Sequence, residues 1–275
     1  MPELPEVETI RRTLIPVLVG RTVTDCLVFL PKVLDNQEPA AFARAVCGRK
    51  IEDLTRRGKY LLFHLSGGRV LVVHLRMTGQ LVYHPPEAQP GAPAKHTHVV
   101  FRLDSGAALH YVDPRQFGRL RVASAPASLE DLGPEPLDGA FSSAALRERL
   151  SRRRGRIKAL LLDQGFLAGL GNIYADEALY RAGIHPECPA DRLTAREVQA
   201  LYHAIREVLA EAIHHRGTSI VNYVDGQGRP GEFQLHLNVY GRDGKPCPSC
   251  ATPIARTRVA NRGTYFCPRC QPRPD

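Results

Sequence analysis

The sequence predicts an α+β fold that consists of an N-terminal antiparallel β-sandwich, a helical domain and a zinc-binding tail. Three observations support this prediction. Strand-like patterns dominate residues 22–122, helical periodicity replaces them from residue 142 onwards, and residues 247–270 contain two Cys-x2-Cys pairs. At 275 residues, 43% hydrophobic and 24% charged, the chain has the length of about two globular domains. This composition excludes a short peptide scaffold and a largely disordered chain.

The first helix is predicted to begin near Pro5, which is surrounded by three glutamates. Acidic side chains in a first turn suit the positive end of the helix dipole. Apolar residues then recur at helical spacing, at Val7, Ile10 and Leu14. We expect the helix to end between Pro16 and Gly20.

Six segments between residues 22 and 122 have the composition and alternation of β-strands. In chain order they are TVTDCLVFL, KYLLFHL, RVLVVHL, HVVFRL, ALHYVD and FGRLRV. Short Gly-containing turns follow several of them, so we expect an antiparallel sandwich or barrel. Pro-rich loops are predicted at residues 85–93 and 124–138, and the second of these ends a first domain, residues 1–124.

Four helices are predicted in a second domain, residues 125–237. They are SSAALRERLSRR, with Ser142 or Ser143 as its cap, then IKALLLDQ, NIYADEALYRAGI and TAREVQALYHAIREVLAEAIHHRG. Thr194 and Glu197 have the spacing of a capping box for the last helix. The glycine-rich segment 217–233 is predicted to be a long mobile loop, a type of segment that is usually functional in a compact domain.

The tail, residues 238–272, has the ligand spacing of a zinc finger. Cys247 and Cys250 form one Cys-x2-Cys pair, and Cys267 and Cys270 form the second pair sixteen residues further on. A redox-active dithiol is the alternative for one such pair, but two pairs at this spacing favour metal. Four cysteine ligands complete a tetrahedral zinc site and leave no open position for catalysis. We therefore expect one structural Zn²⁺.

Basic residues outnumber acidic ones, which indicates a polyanionic partner. The counts are 37 Lys and Arg against 28 Asp and Glu, a net charge of +9. Seven basic residues lie between Arg147 and Lys158 and seven more between Asn238 and Asp275, with one and two acidic residues respectively. A membrane surface would also attract this charge, but neither cluster has the pattern of an amphipathic helix. Nucleic acid is the preferred interpretation.

The start of the chain has neither the basic residues nor the apolar run of a signal peptide. No run of apolar residues approaches the length of a membrane span. We therefore expect a cytoplasmic protein.

Two further motifs have a functional and an ordinary interpretation, and the residues alone leave both open. The turn GFLAGLGN would present backbone N–H groups to a phosphate, with Asn172 either capping the next helix or donating to that phosphate. Removal of Met1 would leave Pro2 with a free secondary amine, whose low pKa suits a nucleophile, and Glu3 beside it would move protons. Pro and acidic residues are also ordinary at a helix start.

Motifs spread along the whole chain resolve this choice. PELPEVET, RRGKYL, HLRMTG, DPRQFG, LGPEPL, GLGNIYADEAL, GIHP and RGTYFCPRCQ occur in this order. The chain thereby resembles the formamidopyrimidine-DNA glycosylases, bacterial enzymes that remove oxidised purines from DNA. The resemblance implies an N-terminal β-sandwich with flanking helices, a helix-two-turn-helix domain and a C-terminal zinc finger.

The resemblance also implies catalytic roles. Pro2 corresponds to the family's nucleophile, which attacks C1′ of the damaged nucleotide, while Glu3 handles protons at the sugar and Glu6 supports the same site. Lys59 of RRGKYL corresponds to the proton donor in the β-elimination that breaks the strand. Arg262 corresponds to the zinc-finger arginine of δ-elimination and phosphate contact. Taken without the resemblance, Lys59 would be an ordinary strand-edge lysine.

Further residues correspond to the family's DNA contacts. Met77 of HLRMTG and Arg115 and Phe117 of DPRQFG resemble the residues that enter the base stack when a nucleotide is flipped out. Contacts to the DNA backbone are implied for His96, Arg115, Arg153, Lys158 and Asn172. Thr218, Ser219 and Tyr223 lie in the segment that covers the flipped purine.

We therefore expect a monomeric glycosylase and abasic-site (AP) lyase of base excision repair, acting on 8-oxoguanine and formamidopyrimidines in double-stranded DNA. Two alternatives are weighed against it. The sister class of endonucleases prefers oxidised pyrimidines, but PELPEVE and the long segment 217–233 argue against it. A zinc-stabilised DNA-binding protein without catalysis is disfavoured because Pro2, Glu3, Glu6 and Lys59 are all present.

Overall fold

The computed structural model describes residues 2–88, 91–124 and 129–273. Met1 and parts of both predicted Pro-rich loops, residues 89–90 and 125–128, lie outside this range. The chain folds into two compact units, the first from Met1–Glu130 with His215–Gln234 and the second from Asp131–His214 with Leu235–Asp275.

The first unit contains two four-stranded antiparallel sheets. One has the strand order β1 (Val23–Val28), β6 (Thr97–Leu103), β7 (Ala108–Val112) and β5 (Gln80–His84). The other has the order β2 (Ile51–Arg57), β3 (Tyr60–Leu65), β4 (Arg69–His74) and β8 (Arg119–Ala123). All the pairings are antiparallel, which confirms the predicted arrangement.

Helix α1 (Leu4–Leu18) begins and ends where the sequence predicts. The core of the first unit contains apolar side chains from the buried face of α1 and from both sheets. Val7, Ile10 and Leu14 come from α1, and Leu61, Val73, Leu81 and Tyr111 come from the sheets. Burial of such side chains is the main force that holds α1 to the sheets. The core therefore fixes the position of the N-terminal residues that precede α1.

One helix of the first unit was not predicted from the sequence. Helix α2 (Pro39–Val46) lies between β1 and β2 and buries Phe42 and Val46, which are spaced four residues apart. With only eight residues and two buried apolar side chains, it has too short a periodic pattern to be recognised alone.

The second unit contains the four predicted helices: α3 (Ser143–Ser151), α4 (Ile157–Leu162), α5 (Asn172–Ala182) and α6 (Ala195–His214). Ser142 caps α3 by accepting a hydrogen bond from the Ala145 N–H. The predicted capping box of α6 is present, because the Thr194 N–H donates to Glu197 at 2.7 Å and the Glu197 N–H donates to the Thr194 hydroxyl. Local capping chemistry therefore explains why the starts of α3 and α6 were predictable.

The tail contains a two-stranded hairpin, β9 (Ala255–Val259) and β10 (Arg262–Phe266). Ala260 and Asn261 between the strands both have positive φ angles, 49° and 59°. Two such residues form the tight turn that matches the twist of a hairpin. Arg262 directly follows this turn and is exposed.

Membrane-spanning helices were also sought. Within the described ranges of the chain, no helix combines the length and the apolar character needed to cross a bilayer.

Candidate active site

The residues that precede and open α1 form a buried polar cluster in the first unit. Pro2 is buried, and Glu3 and Glu6 are 2% and 1% exposed. Glu6 accepts a hydrogen bond from the Glu3 N–H at 2.7 Å on one carboxylate oxygen and from the Thr218 N–H at 2.8 Å on the other. The Glu6 carboxylate therefore holds both the start of α1 and the segment at Thr218. Three predicted site residues meet at this point.

Lys59 lies in the turn between β2 and β3, after Gly58, and is 7% exposed. Arg56, three residues earlier on β2, places its Nε 3.2 Å from Oε2 of Glu8 on α1. This contact sets the end of β2 beside the first turns of α1. The predicted catalytic lysine and the predicted nucleophile are thus carried by neighbouring elements.

Glu8 forms ion pairs with two arginines of α1 and with Arg56 of β2. Burial would raise the pKa of Glu8, but hydrogen bonds from Arg11 and Arg12 and the charge of Arg56 outweigh it and lower the pKa to about 2. The carboxylate therefore stays ionised at neutral pH and keeps its three arginine partners.

His74 on β4 was not singled out from the sequence. It pairs with Tyr60 across the sheet, next to Lys59, and the two rings meet edge to face at 4.4 Å. Burial, together with the charges of Arg76 and Lys59, lowers the pKa of His74 to about 3. This imidazole is therefore neutral at pH 7 and adds no further positive charge near Lys59.

The segment 217–233, which lies wholly within the described residues, contains no α-helix or β-strand, as expected for a loop, and it is held by hydrogen bonds. Asp225 is fully buried and accepts hydrogen bonds from the backbone N–H groups of Gln227 and Arg229. The Gly226 carbonyl accepts from the Tyr83 N–H at 2.8 Å, which attaches the segment to β5. Pairing of these backbone groups gives the segment a defined shape.

The three residues predicted to cover the lesion lie in the first half of this segment. Thr218 is 4% exposed and donates to Glu6, as described above. The Ser219 hydroxyl donates to the Tyr223 carbonyl at 2.7 Å and accepts from the Gly231 N–H at 2.8 Å. The Tyr223 hydroxyl lies 3.4 Å from the Glu6 carbonyl. All three residues are thus connected to each other or to the start of α1.

Gly217 is expected to tolerate no side chain. Its φ is +81°, and a Cβ there would lie 2.8 Å from Oε1 and 3.0 Å from Cγ of Glu6. Gly217→Ala should therefore destabilise the protein by about 1–3 kcal/mol and displace Glu6. Thermal unfolding and lesion-excision assays would measure both effects. Gly91→Ala is the control, because a Cβ at Gly91 meets nothing within 4 Å; equal behaviour of the two variants would contradict the expected role of Gly217.

The residues predicted to enter the base stack lie in two loops of the first unit. Met77 is half-buried in the turn between β4 and β5, where a loop tip was expected. Arg115 and Phe117 lie between β7 and β8 and are exposed, Phe117 by 46%. The Arg115 guanidinium carbon lies 4.7 Å from the centre of the Phe117 ring. The residues predicted to enter the base stack are thus two apolar side chains and one guanidinium group, which has several N–H donors.

In the second unit, Lys158 does not face solvent. It is fully buried, with its Nζ 2.7 Å from the Asp176 carboxylate, and it donates to the Gly263 carbonyl and to the Thr264 hydroxyl at 2.8 Å. The Asn172 amide donates to the same Gly263 carbonyl at 2.9 Å. A direct DNA contact of Lys158 stays a prediction, whereas its contacts here join α4 and α5 to the hairpin.

Asp176 completes this connection and was missed by sequence reasoning. Burial raises the pKa of Asp176, while the charge of Lys158 opposes the shift. Its carboxylate also accepts the Tyr265 N–H at 3.0 Å. Hydrogen bonds thus hold Gly263, Thr264 and Tyr265, and they fix the position of the main chain next to Arg262.

Two other predicted DNA-contact residues can be placed as follows. Arg153 is exposed in the connection between α3 and α4. Asn172 is the first residue of α5, and Gly171 occupies the N-cap position. Asn172 therefore does not cap α5, and its contact with a phosphate stays a prediction.

The four predicted zinc ligands come together in the tail. The Sγ atoms of Cys247, Cys250, Cys267 and Cys270 all lie within 4.8 Å of one another. Cys247 and Cys270 are 3.8 Å apart and Cys250 and Cys267 3.4 Å, close to the spacing of about 3.8 Å that tetrahedral Zn–S bonds of 2.3 Å require. The cluster fits one structural Zn²⁺.

Helix α5 supports this metal site through two side chains. The Tyr180 hydroxyl lies 3.3 Å from the Cys247 Sγ. Glu177, 1% exposed, accepts hydrogen bonds from the backbone N–H groups of Asn238, Val239 and Tyr240. The start of the tail is therefore anchored to α5.

Three family models match successive parts of the chain. The formamidopyrimidine-DNA glycosylase N-terminal domain matches residues 1–120, and the formamidopyrimidine-DNA glycosylase H2TH domain matches residues 132–223. The zinc finger found in FPG and IleRS matches residues 244–273. Together these models cover most of the chain.

Whole-chain comparisons agree. The formamidopyrimidine-DNA glycosylases of Pelotomaculum thermopropionicum and Moorella thermoacetica are 51% and 54% identical, covering 98% and 94% of this chain and 99% and 95% of the relatives. The crystal structure of the MutM (FPG) protein from Thermus thermophilus is similar with a TM-score of 0.87 and 44% identity, covering 98% of each chain. A complex of the Lactococcus lactis protein with abasic-site DNA has a TM-score of 0.91 at 37% identity, covering 98% of this chain and 100% of that one. The matches to these family models and the identity of 51–54% over 94–98% of its length show that this chain belongs to the formamidopyrimidine-DNA glycosylase family.

Proposed function

We propose that this protein is a bifunctional DNA glycosylase and AP lyase that removes oxidised purines from double-stranded DNA. The observation that carries the proposal is the buried cluster of Pro2, Glu3 and Glu6 at the start of α1, beside the strand end that carries Lys59. The family relationship supplies the substrate class, since solved complexes of the Lactococcus lactis relative contain Fapy-dG or abasic-site DNA.

The first chemical step is assigned to Pro2. With Met1 removed, its secondary amine has a pKa near that of an α-amino group, about 8, so about a tenth of it is neutral and nucleophilic at pH 7. The nitrogen lone pair attacks C1′, and the glycosidic bond breaks with its electrons going to the departing base. The proline nitrogen then loses its proton, and the C1′–O4′ bond opens with its electrons going to O4′, which is protonated. The nitrogen lone pair forms the C=N bond of the iminium. Glu3 exchanges protons with the sugar during this step, and Glu6 holds the backbone on either side.

Strand cleavage follows from the same intermediate. The iminium acidifies the proton at C2′, and its loss expels the 3′ phosphate by β-elimination; a second elimination expels the 5′ phosphate. Lys59 is assigned as proton donor in the first elimination. Arg262 is assigned to the second, and its guanidinium is suited to bind the phosphate in two hydrogen bonds.

The zinc site gives Arg262 a fixed support. When bound, Zn²⁺ is a structural crosslink of four thiolates and takes no part in the chemistry. The tail has only a small apolar cluster, built around Val239 and Ile254, so the metal supplies much of its stability. The Lys158 and Asn172 contacts to Gly263 then restrain the residue next to Arg262.

Removal of a base requires the nucleotide to leave the stack, which costs a few kcal/mol. Met77 and Phe117 are assigned to fill the space that the nucleotide leaves. Arg115 is assigned to face the orphaned cytosine, because its donors match the acceptors of that base. Thr218, Ser219 and Tyr223 are proposed to cover the flipped purine. The proposed contacts to the DNA backbone are His96, Arg115, Arg153, Lys158 and Asn172.

The proposal extends to organisation and location. We propose functional domains at residues 1–124, 125–237 and 238–272, in line with the order of the three family models. We also propose that the protein works on DNA in the cytoplasm of a bacterium, because the named relatives are from species such as Moorella thermoacetica.

Borohydride trapping tests the proposal. A duplex with one 8-oxoguanine opposite cytosine is incubated with the protein and borohydride, and the crosslinked peptide is mapped by mass spectrometry. Reduction converts the iminium into a stable amine, so the expected product is DNA attached to a peptide that begins at Pro2. A duplex with thymine glycol is the comparison and should be cleaved more slowly. Binding without any adduct would contradict lyase chemistry, and preference for thymine glycol would indicate the pyrimidine-specific class.

A further inference from the structure

Asp113, the first residue of the DPRQFG motif, is a fully buried carboxylate that has no assigned role above. It is 0% exposed and follows β7, at the start of the loop that carries Arg115 and Phe117. A buried carboxylate is costly unless its lone pairs are satisfied. Its partners therefore indicate what it does.

Four donors converge on this carboxylate, two on each oxygen. Oδ1 accepts from the Thr78 hydroxyl at 2.5 Å and from the Arg115 N–H at 3.2 Å. Oδ2 accepts from the Gly118 N–H at 2.8 Å and from the Tyr111 hydroxyl at 3.1 Å. Thr78 follows Met77, and Gly118 follows Phe117. The carboxylate therefore ties together both loops that carry the residues assigned to the base stack.

The main chain of Asp113 reaches a third loop. Its N–H donates to the His96 carbonyl at 3.0 Å, and His96 has a positive φ of 69°. The Asp113 carbonyl lies 2.8 Å from Nε2 of His98 and accepts from the Gln116 N–H. One buried residue thus connects to the positions of four proposed DNA contacts, which are His96, Met77, Arg115 and Phe117.

A second observation shows how closely this junction is packed. A Cβ at Gly118 would lie 1.9 Å from the Tyr111 hydroxyl oxygen. Only glycine can therefore place its N–H against the Asp113 carboxylate at this position. The side chains carried by the loops are nevertheless exposed, at Arg115 and Phe117. Rigid, buried residues that support exposed contact residues are the arrangement expected for a preorganised binding loop.

We propose that Asp113 is a positioning residue for base flipping and for recognition of the opposite base, acting through Met77, Arg115 and Phe117 without contacting DNA. This inference rests on the proposed function. If these loops became ordered only on binding, the loss of their conformational entropy would weaken binding to DNA. Because the hydrogen bonds to Asp113 order the loops during folding, Met77, Arg115 and Phe117 enter the duplex from loops that already have their final shape.

The carboxylate is needed because all four partners are donors. An amide at position 113 has one oxygen and one NH2 group, and each oxygen of the carboxylate serves one backbone N–H that cannot reverse its role. Whichever way the amide at position 113 is turned, its NH2 group faces the backbone N–H of either Arg115 or Gly118. Asp113→Asn therefore loses that hydrogen bond and places two N–H donors next to each other. Thr78→Val removes one donor with almost no change in shape, and Thr78→Ser restores the hydroxyl.

The test compares three substrates in single-turnover assays: 8-oxoguanine opposite cytosine, 8-oxoguanine opposite adenine, and a preformed abasic site. Asp113→Asn should slow excision opposite cytosine about tenfold or more, the effect of losing a hydrogen bond to a charged group. The preference for cytosine over adenine should fall towards one, and cleavage of the abasic site should fall less. Thr78→Val should show the same pattern more weakly, and Thr78→Ser should recover.

Asp104→Asn is the matched control, because Asp104 is an exposed turn carboxylate of the same unit that accepts the Thr22 N–H at 3.0 Å. Unchanged excision and base preference in folded Asp113→Asn and Thr78→Val would overturn the inference. An equal loss on all three substrates would also overturn it, because that pattern indicates a general loss of structure. A wild-type protein that excises nothing would instead contradict the proposed function.

Discussion

A protein that carries a peptide extension ahead of Met1 is expected to form no borohydride-trapped adduct and to lose strand cleavage by about a thousandfold or more. In such a protein the Pro2 nitrogen is part of a tertiary amide, whose lone pair is delocalised into the carbonyl group. It can neither attack C1′ nor form an iminium. Gel assays of nicking at an abasic site, with and without borohydride, measure the effect.

The control carries the same extension at the C-terminus, which leaves the Pro2 amine free. Because Pro2 is buried, an extension also risks disturbing the start of α1. Thermal unfolding separates that disturbance from the chemistry, and mass spectrometry confirms the terminus of each protein. Undiminished nicking and trapping by the extended protein would exclude Pro2 as the nucleophile. Adduct mapping to Lys59 would point to that lysine instead.

Zinc removal is expected to unfold the tail and to abolish tight lesion binding while leaving the first unit folded. The tail contributes only a few buried apolar residues, whereas zinc binding to finger peptides is worth about 10–16 kcal/mol. Cys267→Ala removes one of the four ligands and should have the same effect as chelation. Metal analysis, limited proteolysis and duplex-binding measurements would follow the change.

Cys47→Ala is the matched control, since Cys47 is a half-buried thiol outside the four-cysteine cluster. It should retain one zinc per chain and bind the lesion duplex normally. Protease cuts in the chelated protein should fall within residues 238–272, and peptides from the two sheets should remain protected. Retention of a folded hairpin and of tight binding without metal would show that zinc is dispensable. Unfolding of the whole chain would show that the units are not independent.

Local sequence signals predicted much of the fold because they depend on neighbouring residues. The capping chemistry at Ser142 and at Thr194 and Glu197 marked helix starts that the structure confirms. The two Cys-x2-Cys pairs predicted the metal cluster, since each pair needs only a tight turn. Helix α2 was missed because its pattern is too short to distinguish from its surroundings.

The proposed active-site residues were recognisable only through the resemblance, because Pro2 and Lys59 have ordinary interpretations in isolation. Their environment needed the structure. Glu6 contacts Thr218 across more than two hundred residues of chain, and the anchoring role of Asp113 depends on a hydroxyl 35 residues away. Lys158 lies in a strongly basic stretch, where exposure is the normal expectation, yet Asp176 and the hairpin bury it.

The sequence alone determined the class of fold, the order of its parts, the zinc ligands and the reaction family. These properties follow from periodicity, from ligand spacing and from motifs that each occupy a few consecutive residues. Only the tertiary structure decided which carboxylate holds the start of α1, which residue connects the loops that carry Met77 and Phe117, and which cation is buried. Those properties depend on long-range packing and on desolvation, which take effect only when distant segments meet.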